Sequence, residues 1–228
     1  MTILCIETST SVCSAAICKD GVPAEQCICR EGSNHARLLP RYIQHLLQYA
    51  AQNNLTIDAV ALSEGPGSYT GLRIGTSMAK GLCYGLNIPL IPVPTLQLMN
   101  VAARERIADG ACSKTDYLLC PMIDARRMEV YTIDEAGNAR AVVVENEESL
   151  YPGDKEIYYF GDGAAKCQAV LTKPNWHYIP DIVPEARYLA TYIESSDNQT
   201  KKVPDIAYYE PFYLKEFVAA QSHVKGLV

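Results

Sequence analysis

The stretch Gly65-Pro66-Gly67-Ser68-Tyr69-Thr70-Gly71-Leu72-Arg73-Ile74-Gly75 constrains the chain more than any other. It follows an apolar run, Ala59-Val60-Ala61-Leu62, and precedes small and apolar residues from Thr76 to Leu86. That order reads as strand, glycine-rich turn and helix start. Glycine reaches backbone angles closed to other residues and lets another backbone come close. Pro66 fixes its own φ and biases Gly65 away from helix. Ser68 or Thr70 is available as the N-cap. Two uses compete. Exposed N–H groups at a helix start attract anions, so the turn could cradle phosphate. Its spacing fits neither a Walker loop nor the dinucleotide fingerprint. The preferred use is packing. Gly71, Gly75 and Ala79 stand one turn apart, and so do Ser77, Gly81 and Gly85. Each glycine inside a helix costs ~1 kcal/mol against alanine, which implies a compensating close contact. The partner in that contact is either the chain's own sheet or another subunit.

With 228 residues the chain has room for one large domain or two small lobes. A hydrophobic fraction of 48% and a charged fraction of 20% are those of an ordinary globular protein. The formal net charge of −6 argues against broad binding to a nucleic-acid backbone. The nine cysteines include no C-x-x-C pair and are read as reduced, small apolar residues. Zinc would need clustered ligands that are absent. The N-terminus lacks a basic leader and reads as a strand. No apolar run is long enough to span a bilayer. A cytoplasmic location is expected, with no membrane partner.

Residues 3–7, 12–18 and 24–30 are expected as three strands, the first buried on both faces. Asp20-Gly21 is a hairpin turn. A helix follows, capped by Ser33 or Asn34, with Leu38, Leu39, Tyr42, Ile43, Leu46, Leu47 and Ala50 on one stripe. Then come a strand at 57–62, the glycine turn and its helix, a strand at 89–93, and a helix capped by Thr95 and running to about 108. The order is β-β-β-α-β-α-β-α. After a polar break at Asp109–Lys114, strands are expected at 117–124, 127–134 and 140–145, then at 156–160. A helix near 185–194 and an aromatic tail complete the chain. The second half is a shorter echo of the first. Domain bounds of 1–110 and 111–228 follow.

The opening Ile6-Glu7-Thr8-Ser9-Thr10 and the repeated plan resemble the actin, hexokinase and Hsp70 superfamily. The fold class is therefore α/β with duplicated β-β-β-α-β-α lobes, the second reduced. In that superfamily the hydroxyl turn holds phosphates and an acid holds a magnesium-bound water. Asp124-Ala125-Arg126-Arg127 stands where its second acidic hairpin would, and Gly161-Asp162-Gly163 resembles its adenosine loop. More closely, the chain is similar to the TsaB (YeaZ) family, also labelled glycoprotease-like. Five stations carry the match. They are Ile6 to Thr10, His35 with Leu38-Leu39-Pro40, Gly65 to Gly75, Ile123 to Arg126 with Glu129-Val130-Tyr131, and Glu210-Pro211-Phe212-Tyr213-Leu214-Lys215.

The resemblance implies a non-catalytic subunit in the synthesis of threonylcarbamoyladenosine beside the tRNA anticodon. Its partners would be a catalytic TsaD-like paralogue and a TsaE-like ATPase, with tRNA met only indirectly. Pairing through helices of the N-terminal lobe points to an interface at Gly71, Arg73, Gly75, Ser77, Met78, Ala79 and Leu82. The same surface would make a homodimer in isolation. Glu7, Thr8, Ser9, Thr10, Asp124, Gly161 and Gly163 are the candidates for a vestigial nucleotide site. The chain departs from its relatives at Glu7, where Asp is usual, at Glu64, where many carry a base, and at Lys215, where Arg is usual. The first two weaken any claim to a working site, and weak or absent ATP and ADP binding is expected, with no cofactor.

The four histidines, at 35, 45, 177 and 223, include no pair four apart, so no metal is expected. His35 reads as a surface or capping residue. A peptidase would need a metal motif or an activated nucleophile, and neither is legible. For Asp124, an ion pair with Arg126 or Arg127, or a turn cap, is preferred over help to a cation. Arg73 sits near a helix start, which the helix dipole disfavours, so a specific partner is expected for it. The rival to the scaffold reading is an ATP-dependent transferase or vestigial ATPase acting alone. The tail from Ala207 to Tyr213 is expected to pack back across a lobe. Fifteen tyrosines against three phenylalanines point to half-buried rings at an interface.

Overall fold

In the computed structural model the described residues are 1–32, 34–108, 116–195 and 205–215. Strands β1 (Thr2–Glu7), β2 (Cys13–Lys19) and β3 (Val22–Cys29) pair antiparallel. The β2–β3 turn is made by Asp20 and Gly21, at φ of 49° and 75°. Strands β4 (Ala59–Gly65) and β5 (Leu90–Pro94) add in parallel beyond β1. The sheet order is β3-β2-β1-β4-β5. Helices α1 (His35–Gln52) and α2 (Tyr69–Leu86) cover one face. There Leu4 and Ile6 meet Leu39, Ile43, Leu46 and Ala79. The opposite face carries α3 (Thr95–Arg106), so Ile3 and Cys5 meet Leu96, Met99 and Ala103. Alternate residues of β1 thus enter different cores, and the strand reads as continuously apolar because both its faces are covered.

The second half holds two short sheets. One is parallel, β6 (Tyr117–Pro121), β10 (Glu156–Phe160) and β11 (Trp176–Ile179), in the order β11-β10-β6. The other is antiparallel, β7 (Ile123–Asp124), β8 (Glu129–Ile133) and β9 (Ala139–Val143). Only Met122 separates β6 from β7. Its N–H donates to the Phe160 carbonyl at 2.8 Å and its carbonyl accepts from Gly163 N–H at 3.0 Å. The single strand expected over 117–124 is therefore two, and the change of pairing partner at Met122 is what divides it. The strand β11 is absent from the sequence reading. It is four residues long and follows Pro174-Asn175, which leaves little period to detect.

Helix α4 (Arg187–Glu194) comes from the second half but packs with α3 between the two halves. One core cluster joins Ile3, Cys18 and Val93 to Phe160, Ile179 and Leu189. Ion pairs cross the same seam, Arg30 to Glu185 and Arg187 to Glu105 at 2.9 Å. A separate cluster, with Met122, Val130, Tyr159 and Trp176, fills the far side of the second half. Two expected caps differ. Asn34 occupies the N-cap of α1 without a side-chain bond, and Ser33 lies outside the described residues. Thr95 is the first residue of α3, and its hydroxyl instead accepts from Gly65 N–H at 3.2 Å. The polar break at Asp109–Lys114 also lies outside the described residues.

Candidate docking face on helix α2

Ser68 caps α2, its hydroxyl accepting from Gly71 N–H at 3.2 Å. The two ridges of the helix then part company. A Cβ on Gly71 would lie 2.0 Å from the Thr8 carbonyl oxygen, and one on Gly75 would lie 2.3 Å from Thr8 Oγ1. Ala79 is fully buried against the sheet. Gly71, Gly75 and Ala79 are therefore not surface residues, which corrects their placement at a partner interface. Their smallness lets α2 sit on the turn that follows β1. Gly81 and Gly85 have nothing within 4 Å of a built Cβ among the described residues. The second ridge is the open one. Arg73, Ser77, Met78 and Leu82, with Ile74 and Gly81, line an apolar depression of about 570 Å³ between α2 and Ala36 of α1. Further along, Tyr84 is 85% exposed and Leu86 is 46% exposed.

The same packing closes the hydroxyl turn. Glu7, Thr8 and Ser9 are fully buried, and Thr10 nearly so. Thr8 Oγ1 donates to the Gly71 carbonyl at 2.8 Å, and Ser68 N–H donates to the Ser9 carbonyl at 2.6 Å. A Cβ on Gly67 would stand 2.3 Å from that carbonyl oxygen. The glycine turn thus lies directly against Thr8 and Ser9. Glu7 Oε1 accepts from Ser9 N–H and from the Ser9 hydroxyl, at 2.6 and 2.5 Å. Glu7 Oε2 and Ser63 Oγ are buried near one another and find no well-aligned hydrogen-bond partner among the described residues. Burial pushes the Glu7 carboxyl up, against the opposing pull of nearby Ser63 and of Ser9.

The other candidates are also accounted for by the chain itself. Asp124 pairs with Lys166, and its carboxylate accepts from Arg126 N–H at 3.0 Å. Partial burial opposes its ionisation, but Lys166 and the Arg126 N–H outweigh that and hold its carboxyl below the usual range. The turn cap is thus as read, while the ion-pair partner is Lys166 rather than either arginine. Gly161 has φ of 106°, and a Cβ there would meet the Met122 carbonyl at 2.2 Å. A Cβ on Gly163 would lie 3.0 Å from Asp124 N. Both glycines serve the kink between β6 and β7. Asp162 Oδ1 accepts from Asp124 N–H at 2.9 Å, a contact the sequence reading missed.

His35 is buried, with Nε2 3.1 Å from the Val12 carbonyl, so it joins α1 to β2 rather than facing solvent. Arg73 lies over the Tyr69 ring at 4.2 Å and donates to the Tyr213 hydroxyl at 3.4 Å. The tail does cross the first half. Phe212 N–H donates to the Glu64 carbonyl at 2.7 Å, and Lys80 bonds the Ala207 and Tyr209 carbonyls. Among the described residues no three His, Cys, Asp or Glu side chains converge as metal ligands would, and no helix is long and apolar enough to cross a membrane.

A family model described as TsaD, tRNA N6-adenosine threonylcarbamoyltransferase, matches residues 30–150. The Escherichia coli protein described as tRNA threonylcarbamoyladenosine biosynthesis protein TsaB is 40% identical over 191 residues, which is 82% of this chain and 77% of that one. The Bacillus subtilis protein of the same description is 35% identical over 133 residues, 58% of this chain and 54% of its own length. Among solved structures, YeaZ from Pseudomonas aeruginosa superposes with a TM-score of 0.70 at 23% identity, covering 93% of this chain and 99% of that one. A second Pseudomonas aeruginosa structure, described as similar to peptidase YEAZ, gives 0.71 at 21% identity over 94% of this chain and 99% of that one. With an α/β fold shared with the YeaZ structures and 40% identity across most of the Escherichia coli protein, the chain belongs to the TsaB family.

Proposed function

We propose that this chain is an accessory subunit in the synthesis of threonylcarbamoyladenosine on tRNA, one that binds a TsaD-like catalytic paralogue rather than carrying the chemistry itself. The observation that carries the reading is the open ridge of α2, where Arg73, Ser77, Met78 and Leu82 line an apolar depression. A side-chain-poor flank lets a second helix approach closely, and half-buried Met and Leu supply the apolar contact. A TsaE-like ATPase joins through the paralogue, tRNA is met through it, and two copies of this chain share the same ridge when no paralogue is present. The setting is the cytoplasm.

The halves are two versions of one plan, as in the actin, hexokinase and Hsp70 superfamily. The strand orders β3-β2-β1-β4-β5 and β9-β8-β7 with β6-β10-β11 favour it, since joining β7 to β6 through Met122 repeats the first order. The bounds near residue 110 mark the join. With the phosphate place taken by the glycine turn, ATP and ADP are held weakly or not at all, and calorimetric titration that gave micromolar, magnesium-dependent binding would reverse this.

Met78→Glu and Leu82→Glu test the docking face. Each puts a carboxylate into the depression at a half-buried position on the edge of the core, so the melt of the free variant is measured alongside pairing. Co-purification with the paralogue encoded in the same genome is expected to be lost, with the thermal melt of the free chain nearly unchanged. Pairing that survives both changes would refute the assignment. Gly75→Leu is no probe of pairing, because its side chain would strike Thr8.

A further inference from the structure

A second cavity lies on the seam between the two halves and shares no lining residue with the depression on α2. It has a volume of about 490 Å³, within the usual range for a small-molecule site. Its walls come from the end of β4, the start of α3, the hairpin between β8 and β9, and the tail. Pro66, Pro94, Leu96, Ile133, Tyr192 and Phe212 supply its apolar walls, beside the polar Glu64 and Gln97. Among the described residues lining it, Glu64 alone carries a charge. Its carboxyl meets no cation and no hydrogen-bond donor among the described residues. Burial pushes the hydroxyls of Tyr192 and Tyr209 up, and the charge of Glu64 adds to it. The Tyr209 hydroxyl is itself buried without a hydrogen-bond partner among the described residues.

A carboxylate withdrawn from water normally has a cation or several donors beside it, because the desolvation is otherwise uncompensated. Here partial burial pushes the Glu64 carboxyl up, and among the described residues no group opposes it. Chance exposure does not account for this arrangement. The tail is fastened over the site, with Phe212 N–H on the Glu64 carbonyl at 2.7 Å. A fixed apolar wall facing one unpaired carboxylate is the complement of a flat cation. With no Lys or Arg in the lining, phosphates and carboxylates are disfavoured as ligands.

We propose that this seam cavity binds a small organic cation, an amidinium or primary ammonium on a flat or alkyl body, with Glu64 as its counter-ion and Phe212 as its lid. The proposal is independent of the docking reading. The probe is benzamidine, titrated calorimetrically into the full chain, with uncharged benzamide as the shape control. Saturable binding of benzamidine is expected, and no saturable binding of benzamide. Glu64→Gln should weaken benzamidine about tenfold or more, as loss of a charge-assisted bond does. Phe212→Ala should weaken it less, by loss of one wall. Because Gln removes a half-buried charge that has no cation beside it among the described residues, the free Glu64→Gln chain should melt no lower than the native one, which separates lost binding from lost folding. Benzamidine that fails to saturate, or that binds the Gln variant equally, would overturn the site. So would benzamide binding as well as benzamidine. None of these results would touch pairing through α2.

Discussion

Glycines 71, 75, 81 and 85 look alike in the sequence and have opposite roles in the fold. At 71 and 75 an added methyl would sit 2.0 and 2.3 Å from Thr8 atoms, far inside any tolerable contact. At 81 and 85 it would meet nothing within 4 Å among the described residues. Gly71→Ala is therefore expected to lower the denaturation midpoint severely, by overpacking of ~3 kcal/mol or more. Gly81→Ala should raise it, by up to ~1 kcal/mol, through helix propensity alone. Urea denaturation of the two variants checks both signs. The residue types and spacing were legible at these sites, but the direction each faces was not. Both ridges have the helical period, and only the position of the β1 turn decides which is covered.

Glu7 also gives a residue-scale prediction. Its carboxyl is raised from 4.5, so the native state holds its proton more tightly than the unfolded chain does. The stability this group contributes is fully present below the unfolded value and is lost as pH rises through the folded one. Glu7→Gln keeps the shape and a carbonyl for Ser9 but does not titrate. The stability of the native chain relative to the variant should thus fall as pH rises from below the ordinary carboxylate value through the raised value of the folded state. Equal pH slopes for the two proteins would show that Glu7 does not carry this linkage.

At the scale of elements, α2 depends on its first turn. Ser68 is the one residue that both caps the helix through its hydroxyl and bonds the Ser9 carbonyl through its N–H. Ser68→Ala removes only the first of these and should cost ~1 kcal/mol, read as a lower urea midpoint. No change in that midpoint would mean that water replaces the cap. Elements with a long period were legible. The apolar stripe of α1 and the strand, turn and helix around Gly65 are where the sequence places them. Short pieces were not. The split at Met122 reflects pairing with β10 some forty residues on, which no local pattern records. The expected hydroxyl-rich phosphate turn has the right residues, and the helix that closes it lies sixty residues away.

At the scale of the molecule, the halves share one core. Leu189 and Phe160 stand in the same cluster as Ile3 and Val93, and Arg30 and Arg187 add ion pairs across the seam. A join of this kind unfolds as a unit. Trp176, the single tryptophan, lies in β11 and reports the second half alone, while far-ultraviolet circular dichroism reports both. The two signals are expected to follow one superimposable urea transition. Separated midpoints would show that the halves melt independently. The restart of three strands after residue 116 was legible in outline, with the first of them divided at Met122. The shared core was not, because α4 crosses to the first sheet from far along the chain.

The division of α2 into a covered ridge and a bare one means that two kinds of selection act on a single helix without interfering. In a saturation library screened only for soluble expression, positions 71 and 75 should stay invariant while 81 and 85 accept most side chains, because only the first pair is pressed against Thr8. If survival is instead tied to complex formation, drift at 81 should narrow to small residues and the tolerance at 71 should not change. One helix would then report folding and recognition separately, by which of its glycines is free to vary.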